Sequence, residues 1–451
     1  MNAPQRVQVF GLGEPPADTP KDQRRYRVRW RVDGRDRMRR FKLKAEAERY
    51  RSMLLVAVGE GVRFDRVSGL PETWQKSTDT WWSWSREWLG LKWGNWAGHS
   101  RRSSAETLAL ITPYLVRPGA PTAPRELRSW LLGYGYLPGA EMIDGVERSW
   151  LDRFSLPLVE LRPGNLEPAL VAVTTRLDGQ ATAATVSRRR RNTVKSVLTA
   201  AVRRDLIKVN PMDRLEWKAP KRSEEIDVSV LPSLVDVDQV VRHVSSLTTP
   251  GARYGAFFAV MGMAGLRPSE VAAMRVADLD LPDEGWGLVM LRGAIATPGA
   301  RYTASAEARE HKGLKHRSSS SVRAVPLPPD LVMILRAHLQ RWPARSGLVF
   351  TNRRGDPVAP GNYGRVWTRE TGRLWPKGHP LAETEPYDLR HTAATLMIRA
   401  GVPLTEVARR LGHSVEILLR VYAGVFEDER NRSNEAIERE FERQRSSRRV
   451  H

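Results

Sequence analysis

Near the start of the chain, polar and apolar residues alternate with the two-residue period of a β-strand. The apolar face is Tyr26, Val28, Trp30 and Val32, and the opposite face is Arg25, Arg27, Arg29 and Arg31. Asp33-Gly34 suits a hairpin turn, and Phe41 begins the return strand. From Ala45 to Val58 the apolar spacing becomes helical. Residues 1–68 are therefore predicted to form a small sheet plus one helix.

The next region has a helical period and is rich in tryptophan. Trp81, Trp84 and Trp88 lie at positions i, i+3 and i+7, a spacing that indicates a core face rather than a base-stacking surface. A later helix starts near Val186 with a run of four arginines and is stopped by Asn210-Pro211. The run is Arg188, Arg189, Arg190 and Arg191. Residues 72–218 are predicted to be an all-helical domain, followed by a charged linker over 218–225.

Residues 230–430 contain segments with the helical spacing of apolar residues and segments with the two-residue spacing of a strand. Residues 255–265 and 331–342 look helical, 286–291 and 322–327 look like strands, and helices dominate from residue 389. Residues 431–451 form a highly charged tail without a wide apolar face. The predicted fold class is a multidomain chain, mainly α with small β-sheets, whose third domain is α+β.

Composition narrows the range of partners. The 451 residues suffice for about two to four domains. Lys plus Arg number 73 and Asp plus Glu 51, so the net charge of +22 predicts attraction to a polyanion. The absence of cysteine excludes disulfides, thiolate metal sites and a cysteine nucleophile. The longest uncharged apolar stretch has 13 residues, so we expect no membrane span. The N-terminus lacks the layout of a secretory signal, so we expect a cytoplasmic protein, which is nucleoid-associated if its polyanion is DNA.

The positive charge is concentrated in particular segments. Between Lys21 and Arg51 there are fourteen basic residues against five acidic ones. A polar face on a half-exposed strand is ordinarily just solvated, but four arginines in register favour contact with phosphates. The arginine face of the strand and the run 188–191 are therefore our candidate polyanion-binding residues. The two partners to consider are nucleic acid, which would make them DNA-binding residues, and a membrane surface.

Three short motifs in the third region combine helix ends with charged side chains. In AGLRPSE, Gly265 suits a left-handed helix end and Pro268 a helix start, so Arg267 falls at a helix junction where its guanidinium can face an oxyanion. In YDLRHTAA, Arg390 lies near a helix start. In LGHS, Gly412 ends one helix and Ser414 can cap the next. Tyr422 lies on an apolar face of that helix, which by itself indicates a core residue.

Taken together and in this order, these motifs resemble the tyrosine recombinase (phage integrase) family. Arg267 and Arg390 are 123 residues apart, Arg390 and His413 are 23 apart, and Tyr422 follows His413 by nine. The resemblance covers the third region directly. More loosely, residues 1–68 resemble the arm-binding domains of integrases, and residues 72–218 resemble their core-binding domains. The motifs LKHR and PYDLRHT are most similar in sequence to integrases of actinobacterial phages and integrative elements.

The resemblance implies a specific chemistry. Tyr422 would attack the scissile phosphate and form a 3′-phosphotyrosyl bond, which makes ATP, metal ions and other cofactors unnecessary. Arg267 and Arg390 would hold the non-bridging oxygens. His413 would hydrogen-bond the phosphate or assist proton transfer, and Glu270 would support the site. A lysine of a β-hairpin would protonate the leaving oxygen; Lys315 is our candidate and Lys312 the alternative.

The sequence departs from the family pattern at one position. Tyr387 stands where the family usually has the histidine of its His-x-x-Arg box. Its hydroxyl can still bind a phosphate or the nucleophile. His391 should point about 100° away from Arg390 around the helix, so we expect it to be a poor substitute. We also expect the Tyr422 phenol to ionise more readily than a free one because it lies beside two arginines.

By resemblance, the expected partners are double-stranded DNA at core and arm attachment sites, a homotetramer on that DNA, an excisionase and a host DNA-bending protein. Two other protein classes stay open: a non-catalytic DNA-binding regulator, since Thr405 to Tyr422 resembles a helix-turn-helix, and a type IB topoisomerase. A metal-dependent nuclease is less favoured, because the acidic residues of DLDLPDEGWG suit a solvated turn.

Overall fold

The computed structural model describes most of the chain. The described ranges are residues 5–16, 19–20, 25–71, 79–141, 143–176, 178–217, 226–314, 321–344 and 346–427, with a few residues between 434 and 445. The predicted linker 218–225, Lys315 and most of the tail 431–451 lie outside them. The chain forms two compact units, one of residues 1–94 and 104–219 and the other of residues 95–103 and 220–451. No helix among the described residues is long and apolar enough to cross a membrane.

The first unit begins with the predicted sheet and helix. Antiparallel strands are arranged in the order β1 (Val7–Gly13), β2 (Tyr26–Val32), β3 (Arg35–Phe41), and helix α1 (Lys44–Gly59) follows. Asp33 and Gly34 both have positive φ, 45° and 84°, as the two-residue hairpin turn requires. Val28, Trp30 and Val32 are buried in one apolar core with α1, which leaves the arginine face of β2 on the other side of the sheet.

The rest of the first unit is helical, as predicted. Its helices are α2 (Trp81–Trp93), part of α3 (Gly98–Ile111), α4 (Leu127–Trp130), α5 (Val146–Phe154), α6 (Pro163–Thr174) and α7 (Ala184–Arg203). Trp81, Trp84 and Trp88 are fully buried, which confirms that the tryptophan face is core. The indole of Trp84 donates to the carbonyl oxygen of Val197 at 3.0 Å and so joins α2 to α7.

The second unit is built around one buried helix. Its helices are α8 (Leu234–Ser245), α9 (Tyr254–Ala264), α10 (Pro268–Val271), α11 (Pro329–Arg341), α12 (Pro360–Leu374), α13 (Asp388–Arg399), α14 (Leu404–Leu411), α15 (Val415–Val421) and α16 (Ala423–Glu427). Nearly every residue of α9 is buried, and α8, α11 and α13 pack around it. Both ends of α9 are thereby fixed within the unit.

Two small antiparallel sheets complete the second unit. One has the strand order β4 (Leu279–Asp280), β5 (Gly287–Leu291), β8 (Arg323–Leu327), and the other pairs β6 (Ala294–Ala296) with β7 (Glu310–Lys312). Strand β8 has an alternating pattern in which Arg323, Val325 and Leu327 are buried. The strand therefore carries an arginine into the interior.

Two glycines set the direction of the chain at the ends of α9 and α14. Gly265 and Gly412 both adopt the left-handed conformation, with φ of 72° and 64°, as the sequence predicts. A Cβ at Gly265 would collide with the side chain of Leu411, and one at Gly412 with the guanidinium of Arg323. The two turns are therefore packed closely against neighbouring elements, and only glycine fits there.

Candidate active site

Four segments of the second unit bring their polar side chains together. The α9–α10 junction supplies Arg267 and Glu270, β8 supplies Arg323, the start of α13 supplies Arg390 and His391, and the segment after α14 supplies His413 and Tyr422. Hydrogen bonds join Arg267 and Arg323 to Glu270, Arg390 to His413, and His391 to Tyr422. Arg390 also forms an ion pair with Glu270, and its charge acts on both His391 and Tyr422. The sequence-predicted residues Arg267, Glu270, Arg390, His413 and Tyr422 therefore lie in one place.

The Glu270 carboxylate lies at the centre of three arginines. Its Oε1 accepts from Nη1 of Arg267 at 2.9 Å, and its Oε2 accepts from Nη2 of Arg323 at 2.7 Å. Nη1 of Arg390 is 4.0 Å from Oε2. Burial by itself would raise the pKa of Glu270, but Arg323, followed by Arg267 and Arg390, holds that pKa below its ordinary value. Glu270 is therefore an ionised, almost fully buried counter-charge.

Arg390 is completely buried and is held by backbone carbonyls at both glycine turns. Its Nη1 donates to the carbonyl oxygen of Gly265, and its Nη2 donates to that of Leu411 at 2.6 Å. Burial, followed by repulsion from Arg267, lowers the pKa of Arg390 to about 10, so the side chain stays charged at neutral pH. This single guanidinium fixes the α9–α10 junction relative to the α14–α15 junction.

Arg267 is attached to the same two junctions but is more open. Its Nη2 donates to the carbonyl oxygen of Gly412 at 3.1 Å, and its side chain remains 17% exposed. The guanidinium is therefore positioned by two acceptors, Glu270 and Gly412, while part of it still faces outward. That arrangement suits an arginine that has to contact an incoming anion.

His413 is neutral in this site. Burial, followed by the charges of Arg390 and Arg267, lowers its pKa to about 3. Nη2 of Arg390 donates to its Nε2 at 2.9 Å, so the ring proton belongs on Nδ1. Within the described part of the chain, His413 Nδ1, Arg390 Nε and Arg323 Nε are buried N–H groups without a hydrogen-bond partner. Such a set of donors suits a phosphate oxyanion.

Tyr422 is fully buried at the end of α15, and its environment corrects one expectation. We expected the two arginines to make the phenol easier to ionise. Instead, burial raises the pKa of Tyr422 above its ordinary value, and the opposing effect of Arg390 is smaller. The sequence places Tyr422 beside Arg390 correctly but does not show how completely the phenol is removed from water.

The structure also corrects the expectation for His391. Its Nδ1 lies 2.8 Å from the Tyr422 hydroxyl oxygen, although the helical angle predicts that it points away from Arg390. The angle separates His391 from Arg390, but Tyr422 approaches α13 from the side to which His391 points. Tyr387 is 38% exposed, and its ring packs edge-on against that of His391 with centroids 5.2 Å apart. His391 therefore hydrogen-bonds the phenol, and Tyr387 packs against the ring of His391.

Of the two candidates for the hairpin lysine that protonates the leaving oxygen, the structure describes only one. Lys315, our first candidate, lies outside the described residues. Lys312 on β7 forms an ion pair with Glu310 at 3.0 Å. Together with Glu270 it lines a cleft of about 290 Å³, so Lys312 is close to the arginine cluster.

The structure distinguishes among the arginines predicted to contact DNA. On β2, Arg27 and Arg29 are exposed, and Arg31 is half-buried and donates to Asp36 at 2.7 Å; Arg25, just before the strand, is half-buried. On α7, Arg189 is exposed and Arg188 is half-buried. Arg190 donates to the carbonyl oxygen of Val173, and Arg191 is buried with its guanidinium 4.4 Å from the Trp217 ring. Arg191 is therefore not a surface residue in this structure, because it packs against an aromatic ring.

The sequence analysis missed Arg323 and set His391 aside as a poor substitute for the family's histidine. Arg323 falls on the buried face of a strand, at the position in RAVPL that alternation assigns to the interior. A buried arginine needs a carboxylate partner, so that alternation was a usable signal. His391 carried no such signal, because its contact with Tyr422 depends on how α15 packs against α13.

Comparison with known proteins agrees with this geometry. The phage integrase family matches residues 233–429, which include every described residue of the cluster. The chain therefore contains a phage integrase family domain, and the cluster lies within it.

The individual proteins that match this chain share only low sequence identity with it. The chain is 26% identical over 226 residues, 49% of its length, to a prophage phiRv2 integrase of Mycobacterium tuberculosis, and it covers 53% of that protein. It is 24% identical over 254 residues to the tyrosine recombinase XerC of Lactobacillus delbrueckii subsp. bulgaricus, covering 55% of this chain and 74% of XerC. A solved lambda integrase dimer bound to a COC′ core site matches 86% of this chain and 89% of that one, at 12% identity and a TM-score of 0.47. The chain therefore spans about half the length of the mycobacterial relative.

Replacing the central carboxylate tests the electrostatics of the cluster. Glu270→Gln should lower the free energy of unfolding of the second unit by about 3–5 kcal/mol at pH 7, because three buried or partly buried arginines lose their counter-charge. The folded-state pKa of Glu270 is depressed. Its contribution is therefore present above the unfolded pKa of about 4.3 and is lost as pH falls below it. Calorimetric unfolding of the full chain at pH 7 and at about pH 2.5, well below the unfolded pKa, measures both effects.

The matched control is Glu416→Gln, an exposed carboxylate on α15, which should change stability by less than about 0.5 kcal/mol. A Glu270→Gln difference that is equally large at both pH values would show that the charge is not what stabilises the cluster.

Proposed function

We propose that this protein is a site-specific DNA recombinase that cleaves and rejoins DNA through a 3′-phosphotyrosyl intermediate, most specifically an integrase of a phage or integrative element. The observation that carries the proposal is the assembly of Arg267, Arg390 and His413 around the buried Glu270 carboxylate, with the phenol of Tyr422 close enough to feel the charge of Arg390. A DNA-binding regulator has no physical need for a desolvated arginine cluster next to a buried phenol. The family domain over residues 233–429 supports the same conclusion.

The chemistry follows from the positions of these groups. Arg267 and Arg390 would bind the non-bridging oxygens and stabilise the extra charge of the pentacoordinate transition state. His413 Nδ1, an N–H without a described partner, would donate to one of these oxygens. Tyr422 would form the new bond to phosphorus while the 5′ oxygen leaves. Because the phosphotyrosyl bond keeps the energy of the broken bond, rejoining would need no nucleotide cofactor.

Two basic surfaces support binding of a DNA duplex. One is the exposed face of the β1–β2–β3 sheet, where Arg27, Arg29 and Arg40 lie on neighbouring strands. The other is a cleft of about 650 Å³ in the second unit with Asp356 as its one acidic lining residue. Six arginines line it: Arg253, Arg309, Arg353, Arg354, Arg365 and Arg369. Arginine clusters of this kind bind phosphates without reading sequence.

The remaining parts of the proposal concern assembly. Residues 1–68 would bind arm sites, residues 72–218 would bind the core site, and residues 230–430 would carry out catalysis. Four copies would act on two duplexes through a Holliday junction, with an excisionase and a host DNA-bending protein as further partners. The separate apolar core of the N-terminal sheet and helix supports an independent DNA-binding role for that part.

Covalent trapping tests the catalytic proposal. Incubating the full chain with a pool of duplexes that carry a nick and a randomised central segment should yield a protein–DNA adduct that survives denaturation, since the short cleaved strand diffuses away. Sequencing the trapped DNA would identify the core site. Tyr422→Phe should give no adduct while binding the same duplexes. If wild type and Tyr422→Phe both bind and neither forms an adduct, the protein is a regulator. Relaxation of supercoiled DNA without strand exchange between two recovered sites would indicate a topoisomerase.

A sulfur substitution tests the lysine assignment. Lys315→Gln should slow cleavage of the recovered core site by about 10²-fold or more, because the leaving 5′ oxygen loses its proton donor. A substrate with sulfur in place of that bridging oxygen should restore the rate, since a thiolate leaves without protonation. Lys312→Gln is the matched comparison and should retain the wild-type response to sulfur. Rescue of Lys312→Gln instead of Lys315→Gln would reverse the assignment.

Salt dependence tests the arginine face of the sheet. Arg27→Gln should reduce the slope of log affinity against log salt concentration on duplex DNA by about 1, because one phosphate contact is lost. Arg49→Gln is the control: Arg49 is exposed on α1, on the opposite side of the sheet, and its loss should leave the slope unchanged. Equal slopes for Arg27→Gln and wild type would exclude the sheet face from DNA binding.

A further inference from the structure

The proposed reaction needs a group that takes the proton of the Tyr422 phenol, and the family's usual histidine position is occupied here by Tyr387. Within the described part of the chain, the hydrogen bond of the Tyr422 hydroxyl is to His391 Nδ1, at 2.8 Å. With the ring proton on Nε2, Nδ1 is an acceptor and the phenol donates to it. This inference rests on the proposed function.

We propose that His391 is a catalytic residue, the general base that accepts the Tyr422 proton during cleavage and returns it during rejoining. The distance is within the range required for direct proton transfer between heavy atoms. The ring is also held in place, since it packs between the rings of Tyr387 and Tyr422 with centroids 5.2 Å and 5.8 Å away. His391 therefore meets the geometric requirement without any rearrangement of α13.

The other polar groups of the site are poorly suited to this task. Nε2 of His413 already accepts from Arg390, and its Nδ1 carries the proton. Glu270 is ionised but is surrounded by Arg267, Arg323 and Arg390, which stabilise its charge and make it a weak base. The arginines are donors only.

The proton and electron balance of the step is simple. The Tyr422 oxygen forms a bond to phosphorus, the Tyr422 proton moves to His391 Nδ1, and the bond from phosphorus to the 5′ oxygen breaks. That oxygen leaves with a proton from the hairpin lysine of the proposed function. In rejoining, the 5′ hydroxyl attacks phosphorus and gives its proton to the lysine, the phosphotyrosyl bond breaks, and the imidazolium of His391 returns its proton to Tyr422.

The electrostatic surroundings keep His391 unprotonated before DNA binds. Burial, followed by the charge of Arg390, lowers its pKa to about 4, so the ring is neutral at neutral pH. The groups that face it are Arg390 and Tyr387 of its own helix segment, and Tyr422 and His413 from the segment after α14. Of these, Arg390 is the charged one. A bound phosphodiester adds negative charge next to Arg390 and therefore favours the protonated ring during the reaction.

The pH dependence of cleavage distinguishes proton transfer from a structural role. His391→Asn can keep a hydrogen bond to the phenol but cannot take its proton. We expect it to form the covalent adduct on the recovered nicked core duplex at least about 10²-fold more slowly than wild type at pH 7. Its rate should rise about tenfold per pH unit between pH 6.5 and 9, because cleavage then requires phenolate formed by hydroxide. The wild-type rate should be nearly flat over the same range.

Two further variants make the result interpretable. His391→Ala should be partly rescued by added imidazole, which a misfolded or merely mispositioned site would not be. His379→Asn is the matched control, since its ring stacks on Trp375 outside the cluster, and it should follow the wild-type profile.

The outcomes separate the two proposals. An unchanged rate for His391→Asn, or one lowered by the same factor at every pH, would overturn the role of His391. Failure of wild type itself to form an adduct would instead overturn the proposed function.

Discussion

The buried carboxylate of Glu270 is the interaction on which the rest of the site depends. Arg323 and Arg390 are almost fully removed from water, and Arg267 is mostly removed. Desolvating cations is costly unless a counter-charge lies within hydrogen-bonding distance. Glu270 provides that charge through hydrogen bonds to Arg267 and Arg323 and through an ion pair at 4.0 Å with Arg390. Its position therefore decides how closely the three guanidinium groups can approach one another.

Backbone carbonyl groups also hold the arginines of the cluster in position. Arg390 donates to carbonyl oxygens of Gly265 and Leu411, and Arg267 donates to that of Gly412. These carbonyls face inward because α9 and α14 both end in left-handed glycines. A helix end has carbonyl groups without intrahelical partners, and here arginines satisfy them. The same bonds therefore close two helices and orient two guanidinium groups, which explains why motifs about 120 residues apart form one rigid site.

The sequence predicts those parts of the structure that depend on local rules. Left-handed glycines, a proline helix start and a strand with one apolar face require only neighbouring residues, and Gly265, Pro268 and Trp30 lie as expected. The family resemblance added the roles of distant residues such as Arg390. Contacts set by helix packing were not predictable. The burial of Arg191 against Trp217 and the contact of His391 with Tyr422 depend on the approach of one element to another, which no short-range pattern encodes.

The same burial that organises the cluster also holds the proton on Tyr422, the proposed nucleophile. A phenol in a dry environment keeps its proton, and burial outweighs the attraction of Arg390 in setting the pKa of Tyr422. A site that gathers positive charge for a phosphate therefore does not by itself produce a phenolate. Proton removal must be coupled to bond formation, and that coupling needs an acceptor in direct contact with the hydroxyl. In this chain Tyr387 stands where the family usually has a histidine, so that histidine is not available as the acceptor. The adjacent ring of His391 meets the requirement from the neighbouring turn of the same helix.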